Sequence, residues 1–65
     1  MNSRDFTTKE ENGQITAVQS TSYWTVDKGG MLITGNVDGQ NILEFSSKPI
    51  KNKSALVKWA LEVFY

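Results

Sequence analysis

The chain has 65 residues, seven lysines and arginines against seven acidic residues, and neither cysteine nor histidine. So short a chain forms a single domain, 1–65, and buries only about 60% of the surface that it exposes when unfolded. The missing residue types exclude disulfides, thiolate catalysis and metal sites built on sulfur or imidazole. The balanced charge excludes a global basic field that would draw the chain onto nucleic acid or anionic lipid.

The first five residues, Met1 to Asp5, are polar, and we expect them to be frayed. They lack the apolar segment of a signal peptide. The longest apolar run lies at the other end of the chain and is too short to cross a bilayer. The sequence therefore predicts a cytoplasmic protein with no membrane partner.

Glycine-centred breaks divide a sheet predicted over residues 6–46. Asn12-Gly13 and Asp38-Gly39 are typical of tight type I′ turns between antiparallel strands, and Lys28-Gly29-Gly30 is a third break. The segments beside these breaks are rich in β-branched and aromatic residues. We therefore predict an antiparallel meander of three to four strands, built from Phe6–Glu11 as a short edge strand and from Ile15–Val26, Met31–Val37 and Asn41–Phe45.

The small hydroxyl residues Ser20 to Ser22 interrupt the long second segment, where we predict a bend or bulge within one strand.

The register of the last hairpin can be predicted from its turn. A two-residue loop at Asp38-Gly39 places Thr34 opposite Leu43 and Leu32 opposite Phe45. Leu32, Leu43 and Phe45 then share one face. The other face is also partly apolar and carries Met31, Ile33, Ile42, Trp24 and Val26 along with Glu44. Because a single helix can cover only one face, the second apolar face is predicted to meet a protein partner or a second copy of the chain.

Pro49 cannot donate a hydrogen bond to a strand ladder, so we predict a connection over residues 47–53. Ser54 is predicted as the N-cap of a C-terminal helix over residues 54–65. Its apolar arc spans about 200° when residues are placed every 100°. We expect Leu56, Ala60 and Val63 to pack on one face of the sheet, which gives the α+β class.

The apolar arc of this helix is wider than one covered face needs. We therefore predict that aromatic and aliphatic residues left beside the sheet contact a partner, because such side chains anchor protein interfaces. With no histidine to act as a general base, the sequence predicts neither an enzyme nor a cofactor or metal site. The predicted partner-binding residues are Trp59, Leu61, Phe64, Tyr65 and Tyr23.

Four of the seven basic residues lie within eleven positions, and no acidic residue separates them. Lys48, Lys51, Lys53 and Lys58 flank the predicted start of the helix, where free backbone amides favour an anion. The alternative is that they only keep an exposed segment hydrated. We predict that these lysines contact an anion or an acidic surface.

These observations predict a small non-enzymatic protein-binding protein, an inhibitor or adaptor that occludes its partner, possible as a homodimer. Its size and simplicity are typical of phage and mobile-element accessory factors. One alternative is a nucleic-acid-binding module that uses the 48–58 lysines, with Tyr23 stacking on bases. A second alternative is a structural subunit that assembles only with itself.

Overall fold

The computed structural model describes residues 6–64, which form five β-strands and one α-helix. The strands form one antiparallel sheet in the order β1-β2-β3-β4-β5. The α+β class and the C-terminal helix are confirmed, whereas the predicted three to four strands were too few. The predictions for residues 1–5 and for Tyr65 lie outside the described residues. The elements are β1 Thr7–Glu11, β2 Gln14–Gln19, β3 Ser22–Asp27, β4 Gly30–Val37, β5 Gln40–Ile50 and α1 Lys53–Phe64.

The additional strand arises from a tight turn at Ser20-Thr21. Gln19 pairs with Ser22 across this turn, so the predicted bend within one strand is in fact a hairpin between β2 and β3. Ser20 takes a positive φ of 54°, as Asn12 and Asp38 do in the other turns. Serine rarely adopts this backbone conformation and no glycine follows it, so the usual hairpin signal was missing.

The predicted register of the last hairpin is confirmed. Thr34 pairs with Leu43 and Leu32 with Phe45, and Asn36 pairs with Asn41 beside the turn. The predicted partition of residues between the two faces also holds for Trp24, Val26 and Ile33, which are all buried, but Met31 is 47% exposed.

The predicted connection over residues 47–53 was wrong, because β5 continues to Ile50. Leu32 pairs with Phe45 but Gly30 pairs with Ile50, so β5 bulges at 46–49 opposite the single residue Met31. The Ser46 hydroxyl donates to the Lys48 carbonyl and accepts from the Lys48 N–H at 3.2 Å, which holds this bulge. Pro49 is tolerated there because bulges and edge strands leave backbone N–H groups out of the ladder.

The helix begins one residue earlier than predicted, and Asn52 rather than Ser54 caps it. The Asn52 Oδ1 accepts the backbone N–H of Ala55 at 2.8 Å, and the Asn52 carbonyl accepts that of Leu56 at 3.3 Å. Asparagine is among the best N-cap residues, and its side chain normally bonds the amide three positions on, as here.

The core lies between α1 and one face of the sheet. Trp24 is fully buried at its centre, where its ring centroid lies 5.5 Å from that of Phe6 and 5.8 Å from that of Phe64. Its neighbour on β4 is Gly35, where a Cβ atom would collide with the backbone carbonyl of Tyr23. The buried apolar residues are Ile15, Ala17, Trp24, Val26, Ile33, Ile50, Leu56, Val57, Trp59 and Ala60.

Candidate binding surface

The face of the sheet opposite the helix carries large apolar side chains that nothing in the described chain covers. We call this surface the open face and define it by five residues contributed by strands β2 to β5. Their exposed fractions are 40% for Val18, 45% for Tyr23, 44% for Leu32, 62% for Leu43 and 70% for Phe45.

Strand pairing arranges these five residues as a pair and a group of three. Val18 pairs with Tyr23 across β2 and β3, and Leu32 pairs with Phe45 across β4 and β5. Leu43 lies two positions before Phe45 on the same face of β5, and it ends a row that begins at Lys9 and passes through three threonines, Thr16, Thr25 and Thr34. Because directly paired side chains lie about 5 Å apart, the open face carries two apolar clusters, Val18 with Tyr23 and Leu32 with Leu43 and Phe45, and uncharged threonines and asparagines lie between them.

Charged side chains on the open side of the sheet lie towards its rim. Lys9 and Glu11 on β1 form an ion pair of 3.3 Å, and Asp27 at the end of β3 accepts a hydrogen bond of 3.4 Å from Gln14. From β3 to β5, the rows that contain Tyr23, Leu43 and Phe45 otherwise hold apolar residues, threonine and asparagine.

The asparagines in these rows are hydrogen-bonded. Asn36 donates to Asn41 at 3.2 Å and accepts the Gly39 N–H at 3.0 Å. The centre of the open face is therefore uncharged, and charged residues are likewise depleted at the core of a protein interface.

The helix residues that we predicted for partner binding are mostly used in the core. Trp59 is 9% exposed, and its ring meets that of Phe64 edge-on with centroids 5.7 Å apart. Leu61 and Phe64 are half-buried and pack against the core cluster. Val63, expected on the sheet, is instead 49% exposed. Of the described members of the predicted set, Tyr23 alone lies on the open face.

Sequence reasoning placed Leu32, Leu43 and Phe45 on one face but left them out of the predicted binding residues. The aromatic residues at the C-terminus give the stronger signal for binding in the sequence. The alternation of side chains in β5, which exposes residues 41, 43 and 45, was sufficient to find them.

Three of the four predicted lysines line two separate grooves. Lys53 and Lys58 line a groove of about 350 Å³ between β1 and the helix, together with Phe6. Lys48 also shares a groove with Lys58, of about 300 Å³, but there the carboxylate of Glu62 lines the same wall.

Lys51 is exposed and lines neither of these two grooves. The lysines therefore do not converge on one anion site.

Comparison with known proteins gives no relative: no family model, curated protein or solved structure matches the chain. Within residues 6–64, no three acidic side chains come together in a group that could hold a metal ion. The helix in this range has twelve residues, fewer than a bilayer crossing needs.

Proposed function

We propose that this chain is a small non-enzymatic protein-binding protein whose open face docks on another protein. It acts as an inhibitor or adaptor by occluding the surface that it covers. The observation that carries the proposal is the set of exposed apolar side chains on one face, which lie outside a core that the helix already closes: Val18, Tyr23, Leu32, Leu43 and Phe45.

Exposed apolar residues are ordinary when they are scattered, but a contiguous patch on a small protein is typical of an interaction site. Tyr23 and Phe45 supply rigid aromatic surface, and aromatic residues are enriched among the residues that dominate binding energy. The polar rim formed by Lys9, Glu11 and Asp27 resembles the rim of known interfaces. We therefore expect Tyr23 and Phe45 to be the anchors.

Two features support a binding role without catalysis. The chain has no histidine or cysteine, and the Ser46 hydroxyl, which lies two positions before Lys48, is bonded to the Lys48 backbone. The cytoplasmic location and the phage or mobile-element source stay predictions.

The docking proposal can be tested with a photo-crosslinker in the middle of the open face. We would place p-benzoylphenylalanine at Tyr23, which exchanges one exposed aromatic for another, and at Glu62 on the exposed side of the helix as the matched control. Irradiation in the native cell is expected to yield a discrete protein adduct from position 23. An excess of the parent chain should suppress this adduct, and an excess of the Leu32→Glu variant should not.

Adducts of equal yield from positions 23 and 62 would contradict docking through the open face. Docking through the open face would also be contradicted if Leu32→Glu competed as well as the parent chain. A glutamate buried against an apolar partner is costly, so this variant should bind more weakly.

The nucleic-acid alternative rests on Lys53 and Lys58, which line one groove. That groove lies on the helix side, whereas Tyr23 lies on the open face, so the two parts of the predicted nucleic-acid site are separated. A salt titration of the captured complex distinguishes the two functions. Phosphate contacts predict a steep loss of affinity between low and physiological salt, and an apolar interface predicts near indifference.

A further inference from the structure

The two edge strands of the sheet differ in how they are protected from pairing with another chain. On β1, Lys9 and Glu11 form an ion pair, and Glu10 pairs with Lys28 at 2.8 Å. Charged residues of this kind discourage edge pairing. On β5, the segment 40–45 carries one charged residue, Glu44, and two exposed apolar residues, Leu43 and Phe45. The 40–45 segment of the β5 edge is therefore less protected than β1.

Backbone geometry identifies which groups of β5 point away from the sheet. In a two-residue hairpin the residues beside the turn, here Val37 and Gln40, exchange hydrogen bonds, and the pattern then alternates along the strand. Ile42 and Glu44 therefore bond to β4. The N–H and C=O groups of Asn41, Leu43 and Phe45 point outward, and they form a regular row that matches another extended strand.

The second half of β5 cannot continue this row. The bulge at 46–49, the missing N–H of Pro49 and the charge of Lys48 interrupt it. A strand added at this edge would therefore pair with 40–45, which is an ordinary length for a β-strand.

Exposure on the open face increases towards the β5 edge. Tyr23 on β3 and Leu32 on β4 are 45% and 44% exposed, whereas Leu43 and Phe45 on β5 are 62% and 70% exposed. Side chains of an inner strand have neighbours on both sides, and those of β5 have neighbours on one side alone. A strand added beside β5 would cover the two most exposed of these residues.

We propose that the Gln40–Phe45 segment of β5 pairs antiparallel with the same segment of a second copy of this chain. In the register centred on Leu43, Asn41 of each copy faces Phe45 of the other, and the outward groups form about six hydrogen bonds. Glu44 then faces Ile42. The register centred on Glu44 is excluded because it would place two like charges opposite each other.

A second copy fits this edge better than a foreign strand for two reasons. The pairing is self-complementary about a two-fold axis, which is the usual symmetry of a closed dimer, and the chain has no net charge to oppose it. The charged β1 edge disfavours further strand addition, so we expect assembly to stop at two. The ten-stranded sheet joins the two open faces into one surface, but the dimer does not depend on the docking proposed above.

The test is backbone N-methylation of Leu43 in the full chain, prepared by chemical synthesis. The methyl group removes the outward N–H and leaves every side chain and every bond to β4 in place. The matched control carries the same modification at Thr8, whose N–H points outward from the β1 edge by the same alternation. Sedimentation velocity from low to several hundred micromolar is expected to show a dimer for the parent and for the Thr8 control. N-methylation of Leu43 should weaken the dimer about tenfold or more.

Hydrogen exchange of the unmodified chain gives a second measurement that needs no variant. As concentration rises, the amides of Leu43 and Phe45 should exchange about tenfold more slowly or better, while that of Thr8 is unchanged. The proposal is overturned if the parent stays monomeric or these amides gain no protection. It is also overturned if the Leu43 modification leaves the dimer intact, if the Thr8 modification dissociates it, or if a foreign chain occupies the edge of a monomer.

Discussion

The two faces of one sheet have opposite environments in this molecule. On the helix side Trp24, Ile15 and Ile33 are fully buried, whereas on the open side Phe45 is 70% exposed. Both faces are apolar because alternate residues of the same strands supply them. One helix of twelve residues, about 18 Å long, can cover only one face. The helix side therefore determines stability, and the open side is available for binding.

The largest expected effect is at the centre of the covered face. Trp24→Ala removes the largest fully buried side chain and its contacts with Phe6 and Phe64, and should lower the free energy of unfolding by about 3–5 kcal/mol. A domain of this size has only about 3–10 kcal/mol in total, so we expect the variant to be largely unfolded. Urea denaturation followed by circular dichroism measures this loss, and an unchanged midpoint would contradict the assignment of the core.

Trp24→Phe is the milder variant at the same site. Among residues 6–64 the indole N–H of Trp24 has no hydrogen-bond partner, so the substitution removes no hydrogen bond. Trp24→Phe should therefore lower the free energy of unfolding clearly less than Trp24→Ala in the same denaturation experiment.

The next largest effect on stability is expected at Gly35, which lies beside Trp24. Gly35→Ala should cost about 2–3 kcal/mol, because the added Cβ atom meets the backbone carbonyl of Tyr23 and the strand has to move. Gly30→Ala is the comparison, since its Cβ atom would lie 3.0 Å from the nearest atom, the carbonyl oxygen of Asp27. Equal thermal midpoints for Gly35→Ala and Gly30→Ala would contradict the close packing of β3 against β4 at Gly35.

A smaller effect is expected at the start of the helix. Asn52→Ala removes the acceptor of the Ala55 N–H and should cost about 1 kcal/mol. Ser54→Ala is the matched control, because Ser54 is exposed and was the N-cap that we predicted from the sequence. It should change the free energy of unfolding by less than about 0.5 kcal/mol. The reverse order of the two variants would restore Ser54 as the N-cap.

The smallest effect on stability is expected on the open face. Phe45→Thr keeps a residue that favours strands and should change the stability of the dilute chain by less than about 0.5 kcal/mol. The same change should abolish the partner adduct formed from position 23. A large loss of stability would mean that Phe45 contributes to the core. It would contradict the division in which the helix side determines stability and the open side is available for binding.

Most of the sheet followed from local chemistry that the sequence displays. Asn12-Gly13 and Asp38-Gly39 correctly predicted two hairpins. Side-chain alternation then predicted that Leu43 and Phe45 lie on the other face of the sheet from the buried residues. The hairpin at Ser20-Thr21 was missed because serine takes the positive φ there and no glycine follows it to give the usual turn signal. Its geometry is imposed by the pairing of β2 with β3, which is a tertiary effect.

The binding surface was harder to predict than the fold, because exposure depends on which face the helix covers. The sequence contained two apolar faces and a helix with a wide apolar arc. It did not show that Trp59 would be buried while Leu43 would stay exposed. Similarly, Pro49 indicated the end of the strand, but a bulge held by Ser46 lets β5 continue past it.

The central claim is that the open face, and not the lysine-bearing helix side, meets the partner. Hydroxyl-radical footprinting of the chain alone and in its captured complex tests this claim most directly. Tyr23 and Leu32 are the reporters, because they lie away from the β5 edge and are not covered by pairing with a second copy. The account predicts strong protection of both side chains on complex formation, with Lys53 and Lys58 unchanged. Protection of the lysines with Tyr23 and Leu32 still fully reactive would contradict it.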